Sequence, residues 1–284
     1  MTLPAGIHTI SMSDYLALKA LSAGVCHTIL TQSPYHAKFA PWEEASAEMD
    51  VGTAIHSALL EGVDNIVAIE ADDWRTKAAK EARDAVRKEG KIPMLARNVA
   101  KVQAAVDAAK AYVDGSEITG VFDDGKPEQT IIWNEGAILC KARPDWLTDS
   151  RDVLLHVKTT DGSAEPSSWI RNQLVRGYDV ASAFYERGLC EVIKETQAPM
   201  SVFLVIEQNP PYGCSLVGLS PAMQDLADRK VARGIALWAK CKASGKYPAY
   251  APVIHYAEPF AWQMAEEEEK QMFSDDELSG GIPL

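Results

Sequence analysis

The stretch ILCKARPDWLTDSRDVLLHVKTT, residues 138–160, holds two short runs rich in apolar and β-branched residues, ILCKARP (138–144) and DVLLHVKTT (152–160). Both read as strands, with turn-forming residues between them. Asp145 then ends the first strand, while His156 and Lys158 lie two apart on the second. Side chains alternate across a strand, so His156 and Lys158 share one face beside Leu154. A carboxylate, a second ligand and a lysine on adjacent strands suit a divalent ion that activates a water. The ion lowers the pKa of that water and polarises a phosphoryl oxygen, and the ammonium orients the nucleophile. On these residues alone, a purely structural Asp and Lys is the commoner alternative.

Working outward, EQTIIW (128–133) reads as a strand before this pair, with Asn134-Glu135-Gly136 as its turn. Upstream, Asp72 or Asp73 is placed to cap a helix through RTKAAKEARDAVRKEG, and Asn98 to cap a second through VAKVQAAVDAAKAYV. Downstream, one long helix is expected through SSWIRNQLVRGYDVASAFYERG, entered at Pro166 and closed at Gly188. The strands MSVFLVIE (200–207) and GCSLVGL (213–219) follow, then a helix capped by Ser220 that ends near Gly245. This order predicts an α/β (α+β) fold, in which a three-strand meander, a helix and a crossover strand form a mixed sheet flanked by helices. Residues 1–115 form a helical portion beside the sheet core of residues 116–265. The expected organisation is a single domain over residues 1–265, followed by an acidic, flexible tail over 266–284.

No apolar run among the 284 residues approaches the roughly 18 that a membrane helix needs. The first ten residues show no secretory pattern. The five cysteines, at 26, 140, 190, 214 and 241, are scattered and never form CxxC. A disulfide scaffold or cysteine zinc site is therefore not expected, and a reduced cytosol fits best. The net charge of -12 does not exclude nucleic acid, because half of it comes from residues 266–284, with seven acidic side chains against Lys270. The body also carries a base-rich stretch from Arg75 to Lys101, within which Arg75, Lys77 and Lys80 are candidate DNA contacts. A solvated helix face is the alternative there. Trp42 and Trp74 are candidates for stacking on a base, with packing as the alternative.

Several blocks, in order, carry a resemblance: SPYHAKF (33–39), MDVGTAIHSALLEG (49–62), WRTKAAKEAR, CKARPDWL, HVKTTDGS, RGYDVASAFY, VIEQNPPYG and KASGKYPAY. Together they resemble the RecE-type exonucleases of the PD-(D/E)XK nuclease superfamily, which are common on prophages. The resemblance covers roughly residues 10–260. It implies metal-dependent 5′ to 3′ digestion from double-stranded DNA ends in phage-type recombination, with Mg²⁺ or Mn²⁺ as cofactor. It assigns His56, Asp145, His156 and the Val157 carbonyl to the metal and Lys158 to the attacking water, and it makes Tyr185, the tyrosine of the helix motif that reaches toward the site, a catalytic residue with Asp145, His156 and Lys158. Glu128 is an assisting candidate. A ring-shaped homo-oligomer enclosing DNA is likewise implied by resemblance alone.

Two positions depart from that pattern. His156 stands where the family has Asp or Glu, and Ala181 where it usually has Gln. Neutral imidazole is a poor replacement for a carboxylate on Mg²⁺, a hard ion that prefers oxygen, and it suits Mn²⁺, Zn²⁺ or Fe²⁺ better. Two outcomes stay open: an altered or impaired exonuclease, or a catalytically silent DNA-binding or scaffold protein on the same fold. An RNA-processing or defence nuclease is a third class, since fold does not fix substrate. On this reading the sequence as written has little Mg²⁺-dependent exonuclease activity, and His156→Asp raises it by at least about a hundredfold. The terminal Ile282-Pro283-Leu284 after an acidic run resembles the tip of single-stranded-DNA-binding proteins. It suggests recruitment of a recombination or strand-annealing protein, with a solubilising tail as the alternative.

Overall fold

The computed structural model describes residues 3–41, 51–195 and 198–279. Trp42, the Met49 and Asp50 that open the glycine–histidine block, and the tip at 280–284 lie outside the described residues. Numbered along the chain, the strands are β1 (Gly6–His8), β2 (Ile66–Ile69), β3 (Ile92–Leu95), β4 (Lys126–Pro127), β5 (Thr130–Glu135), β6 (Ile138–Ala142), β7 (Trp146–Leu147), β8 (Val153–Thr160), β9 (Met200–Glu207) and β10 (Cys214–Gly218). The helices are α1 (Met12–Ala17), α2 (Ala23–Thr31), α3 (Pro34–Phe39), α4 (Val51–Glu61), α5 (Lys77–Lys88), α6 (Ala96–Asp114), α7 (Pro166–Asn172), α8 (Tyr178–Ile193), α9 (Pro221–Ser244) and α10 (Ala261–Ser279). One compact unit runs through Ala249, and a second begins at Tyr250.

The first unit is built on a five-stranded mixed sheet in the order β10-β9-β8-β7-β4. Within this sheet only β8 and β9 pair in parallel, with His156 opposite Phe203 and Lys158 opposite Val205. β9 is buried on two faces from Ser201 to Ile206, which explains its almost unbroken apolar run, while β8 is buried from Leu154 to Val157 only. Leu155 and Val157 of β8 join Val202, Leu204 and Ile206 of β9 in a core shared with α4 and α6. Leu154 faces the other way, into a core with α2, α8 and α9.

The mixed α/β class holds, but four local expectations are corrected. The meander is split: β5 and β6 pair with β1 in a separate three-stranded sheet, and β7 carries the chain across to β8. Strand partners are chosen by distant residues such as Gly6, which pairs with Ile132, and nothing in the local run signals that choice. The two upstream helices start elsewhere: Thr76 caps α5 with its side chain, and α6 begins after Leu95 with no side-chain cap. The helical first 115 residues also contain a short parallel pair, β2 with β3. Finally, the long helix after Pro166 is broken into α7, a 3-10 turn at Leu174–Arg176, and α8.

That break is made by Gly177, at φ +110°, where a Cβ would also stand 2.6 Å from the His27 ring. Gly188 does not end the helix, which continues to Ile193. Instead its missing side chain makes room for the buried Trp133 indole, which a Cβ would meet at 2.5 Å. Gly188→Leu should therefore lower stability by about 2 kcal/mol, since overpacking outweighs the roughly 1 kcal/mol gained in helix propensity. Thermal unfolding of the variant checks this, and an unchanged midpoint would contradict it.

The second unit contains α10, where the sequence reading expects a flexible tail. Glutamates have good helix propensity. Gln263 accepts the Phe260 N–H at 2.9 Å, and Lys270 pairs with Glu266 one turn away at 2.6 Å. No helix among the described residues is long and apolar enough to cross a membrane.

Candidate active site

Asp145 occupies the bend just before β7. Because β7 is only two residues long, the edge of β8 beyond Leu155 lacks a strand partner on that side. The Asp145 carboxylate takes that place, and its Oδ2 accepts the Val157 N–H at 2.7 Å. The N–H and C=O of a strand residue leave from the same edge, so the Val157 carbonyl also points to the Asp145 side. Lys158 Nζ donates to the same Oδ2 at 3.2 Å. On the other oxygen, His56 Nε2 lies 3.3 Å from Oδ1.

His56 reaches this point because α4 packs on β8 through Ala54, Ile55, Ala58 and Leu59, in one core with Leu155 and Val157. Burial pushes the Asp145 carboxyl up, but the Lys158 ammonium and the His56 hydrogen bond outweigh it. Asp145 is thereby held well below the usual carboxylate range, and the site keeps one fixed negative charge.

Glu128 approaches from the link between β4 and β5. Its backbone, at φ +55°, lies in the left-handed region, and its N–H donates to the Asp145 carbonyl at 3.1 Å. Its carboxylate pairs with Arg143. Arg143 is itself anchored on the Ile10 carbonyl at 3.0 Å and Thr130 Oγ1 at 3.1 Å. Ligand atoms of His56, Glu128 and Asp145 all lie within 4.8 Å of one another, the separation expected around a shared cation. A nitrogen and two carboxylates form a donor set that fits a divalent ion. Glu128, the weakest sequence candidate, is thus a member of the cluster. Arg143, which orients it, carried no role in the sequence reading and has no local signal beyond its place before Pro144.

His156, read from sequence as the second ligand, is not in that cluster. Its ring is buried and stacked on Phe203, with centroids 4.7 Å apart, and lies 5.4 Å from the Tyr185 ring. Its Nε2 meets Ser201 Oγ at 3.0 Å. Burial pushes its pKa down to about 4, so it is neutral at pH 7. Tyr185 is therefore brought beside His156, and burial pushes its phenol up, so it stays protonated. Ala181 packs into the core shared by α2, α8 and α9.

Behind His156 runs a buried polar chain. Ser201 Oγ lies 2.7 Å from Ser182 Oγ, which donates to Glu186 Oε1 at 3.0 Å. Burial, with Asp228 adding to it, raises the Glu186 carboxyl to about 7. A carboxyl raised on folding contributes stability below its ordinary pKa and loses it as pH rises through the folded value. Glu186→Gln should therefore leave the unfolding midpoint nearly unchanged at about pH 5 and raise it by a few degrees at about pH 8. Equal shifts at both pH values would contradict this.

Of the proposed DNA contacts, Lys77 and Lys80 lie on α5, which packs on β2 and β3, and Arg75 lies just before its cap Thr76. Arg75 is exposed and paired with Asp73 at 3.6 Å, and Lys77 with Glu81 at 3.7 Å. Lys80 is exposed. No hydrogen bond or ion pair among the described residues joins these three to Asp145. Trp74 lies under the Arg83 guanidinium, 5.9 Å from ring centroid to Cζ.

Known proteins resemble this chain in fold and in family. A solved structure of a candidate exonuclease from Eubacterium rectale aligns over 97% of this chain and 100% of its own, at 11% identity and a TM-score of 0.54. At that identity the likeness speaks for the fold alone. A second solved structure, SSO0001, aligns over 64% of this chain and 84% of its own, at 13% identity and a TM-score of 0.26. That score carries no argument. No curated protein matches the chain. A family model described as a PDDEXK-like domain of unknown function matches residues 21–258, which include His56, Glu128, Asp145 and Lys158. The chain belongs to that family, the PDDEXK-like domains DUF3799.

Proposed function

We propose that this protein is a metal-dependent exonuclease that hydrolyses phosphodiester bonds from the 5′ ends of double-stranded DNA in phage-type recombination. The observation that carries the reading is the convergence of His56, Glu128, Lys158 and the Val157 backbone on one ionised Asp145. The PDDEXK-like family supports a nuclease, and the likeness to the Eubacterium rectale protein supports the fold. The 5′ to 3′ direction and the recombination role rest on the resemblance to RecE-type enzymes.

His56, Glu128, Asp145 and the Val157 carbonyl would hold the divalent cation, Mg²⁺ or Mn²⁺. When bound, such an ion lowers the pKa of a water and balances charge on the phosphoryl oxygens. Asp145 supplies the fixed anion. Lys158, on the opposite side of that carboxylate from His56, orients the attacking water and meets charge developing on the phosphate. Neutral His156 and protonated Tyr185 form an uncharged wall behind these groups. Arg75, Lys77 and Lys80 supply salt-dependent contacts to phosphates farther along the duplex. A ring-shaped homo-oligomer and a recombination or strand-annealing partner, recruited through the C-terminal tail, complete the reading.

A catalytically silent, DNA-binding version of the fold is the second reading, favoured by the buried His156 at the second acidic position. Digestion of a 5′-labelled linear duplex, with a closed circle as control, separates the two. The expected result is metal-dependent release of label from the linear form only. Binding without digestion in either Mg²⁺ or Mn²⁺ would establish the silent reading instead.

A further inference from the structure

A cavity of about 440 Å³ lies at the amino end of β9 and the carboxyl end of β10. Met200 and Ser201, on its wall, stand opposite Val153 and Leu154, at the end of the parallel pair remote from Lys158. Its volume falls within the usual range of small-ligand sites. The walls are largely apolar, with Ile118 from the turn after α6, Val202 from β9, and Leu216 and Leu219 from β10 and its end. Into this surface α8 places one residue, Glu186, and the exposed Glu117 adds a second carboxylate. The lining contains no lysine, arginine or histidine.

Glu186 is only 5% exposed, and among the described residues no cation pairs with it. The bases of the neighbouring helix surfaces are already taken: Arg187 by Glu135 at 3.0 Å, and Lys230 of α9 by Asp179. What faces the Glu186 carboxyl is neutral or acidic. Ser182 and Cys190 lie one turn to either side on α8, Ser201 comes from β9, and Asp228 from α9. Ser182 has one hydrogen for two acceptors, Glu186 Oε1 at 3.0 Å and Ser201 Oγ at 2.7 Å. A carboxylate has room for several donors, so an ionised Glu186 is left short of both donors and positive charge.

The lining selects what can supply them. An anion would meet Glu117 and Glu186 with no base to offset them. An inorganic divalent cation would give up its water for a single buried carboxylate and apolar walls, where it needs many oxygens. A primary ammonium brings several N–H donors and a full charge on an apolar stem, and its hydrogen bonds to a carboxylate are of the strong, charge-assisted kind.

We infer that this cavity binds a small aliphatic amine, its ammonium group on Glu186 and its hydrocarbon stem against Ile118, Val202, Leu216 and Leu219. The test uses the full chain in chelator and requires neither metal nor cleavage. 1-Aminobutane, 1-butanol and butanoate are each titrated by saturation-transfer NMR, and thermal unfolding is followed alongside. At about pH 8 the amine should bind at least about tenfold more tightly than the alcohol and raise the unfolding midpoint, and butanoate should not bind. The Glu186 carboxyl, raised to about 7, is protonated in acid, so at about pH 5.5 the preference for the amine should shrink. Glu186→Gln should abolish that preference at both pH values and leave binding of the alcohol intact. Should the variant fail to fold, Gly218→Leu serves instead. It lies at the end of the edge strand β10, where a Cβ would stand 3.8 Å from the Ser201 carbonyl, and it should weaken amine and alcohol together. Equal binding of amine and alcohol by the parent, an unchanged preference in Glu186→Gln, unaltered binding in Gly218→Leu, or no binding of the amine at millimolar concentrations overturns the inference, whether or not the protein cuts DNA.

Discussion

Asp145→Asn is expected to lower metal-dependent cleavage of linear duplex DNA by at least about a thousandfold, a loss typical of removing a preorganised charge from a water-poor site. No other residue in the cluster touches so many of the rest. Its two oxygens serve His56, the Val157 N–H and Lys158 together. The asparagine carbonyl can still accept from Val157, so the strand edge remains satisfied. Its amide group, however, presents hydrogens where His56 and Lys158 also present them, and the anion that offsets both is gone.

Stability should respond with a definite sign. Asp145 is held below its ordinary pKa in the folded protein, so its contribution is present above the unfolded carboxylate value and is lost as pH falls toward the folded one. Thermal unfolding of Asp145→Asn should therefore fall furthest behind the parent near neutral pH and converge with it in acid. Full cleavage by the variant would remove Asp145 from the catalytic machinery. A deficit that does not change with pH would show that its partners do not set its charge.

Much of this centre was legible along the chain, for physical reasons that differ residue by residue. Asp145 and Lys158 could be found because their strands are short, apolar and separated by clear turn residues, so alternation fixes which side chains are neighbours. His56 was visible only through the resemblance of its block, since one histidine on an alanine-rich helix carries no signal of its own. Glu128 could be ranked only last. Its position depends on a left-handed backbone and on a hydrogen bond to the Asp145 carbonyl, and neither leaves a mark in local sequence. The break at Gly177 was hidden because an isolated glycine is tolerated inside a helical pattern. The left-handed φ of +110° and the His27 ring lying against it show why a side chain is excluded there. The split meander has the same origin, since pairing of β5 with β1 is a choice made over more than a hundred residues.

Glu128→Gln is expected to lower cleavage by about a hundredfold, the typical worth of one positioned catalytic group, and His156→Asp is not expected to raise it in the unaltered background. Sequence alone pointed the other way, to a missing carboxylate at position 156. The fold brings a second carboxylate in by another route, from Glu128, whose ligand atoms share the cluster with His56 and Asp145. His156 meanwhile fills a buried slot against Phe203 and bonds Ser201. An aspartate there would forfeit the stack and leave space beside Phe203. It would also bury a second anion near Asp145, at a cost of about 3 kcal/mol in stability. The two substitutions together separate the alternatives. If one extra carboxylate is needed and its position is flexible, His156→Asp should recover part of the activity lost in Glu128→Gln, although it adds nothing alone. If Glu128 is only the partner of Arg143, Glu128→Gln should instead loosen the contact of Arg143 with Ile10 and leave kcat intact. Steady-state kinetics and thermal unfolding on the four proteins measure both effects. A wild-type rate in Glu128→Gln, with a large gain from His156→Asp, would return the second carboxylate to position 156.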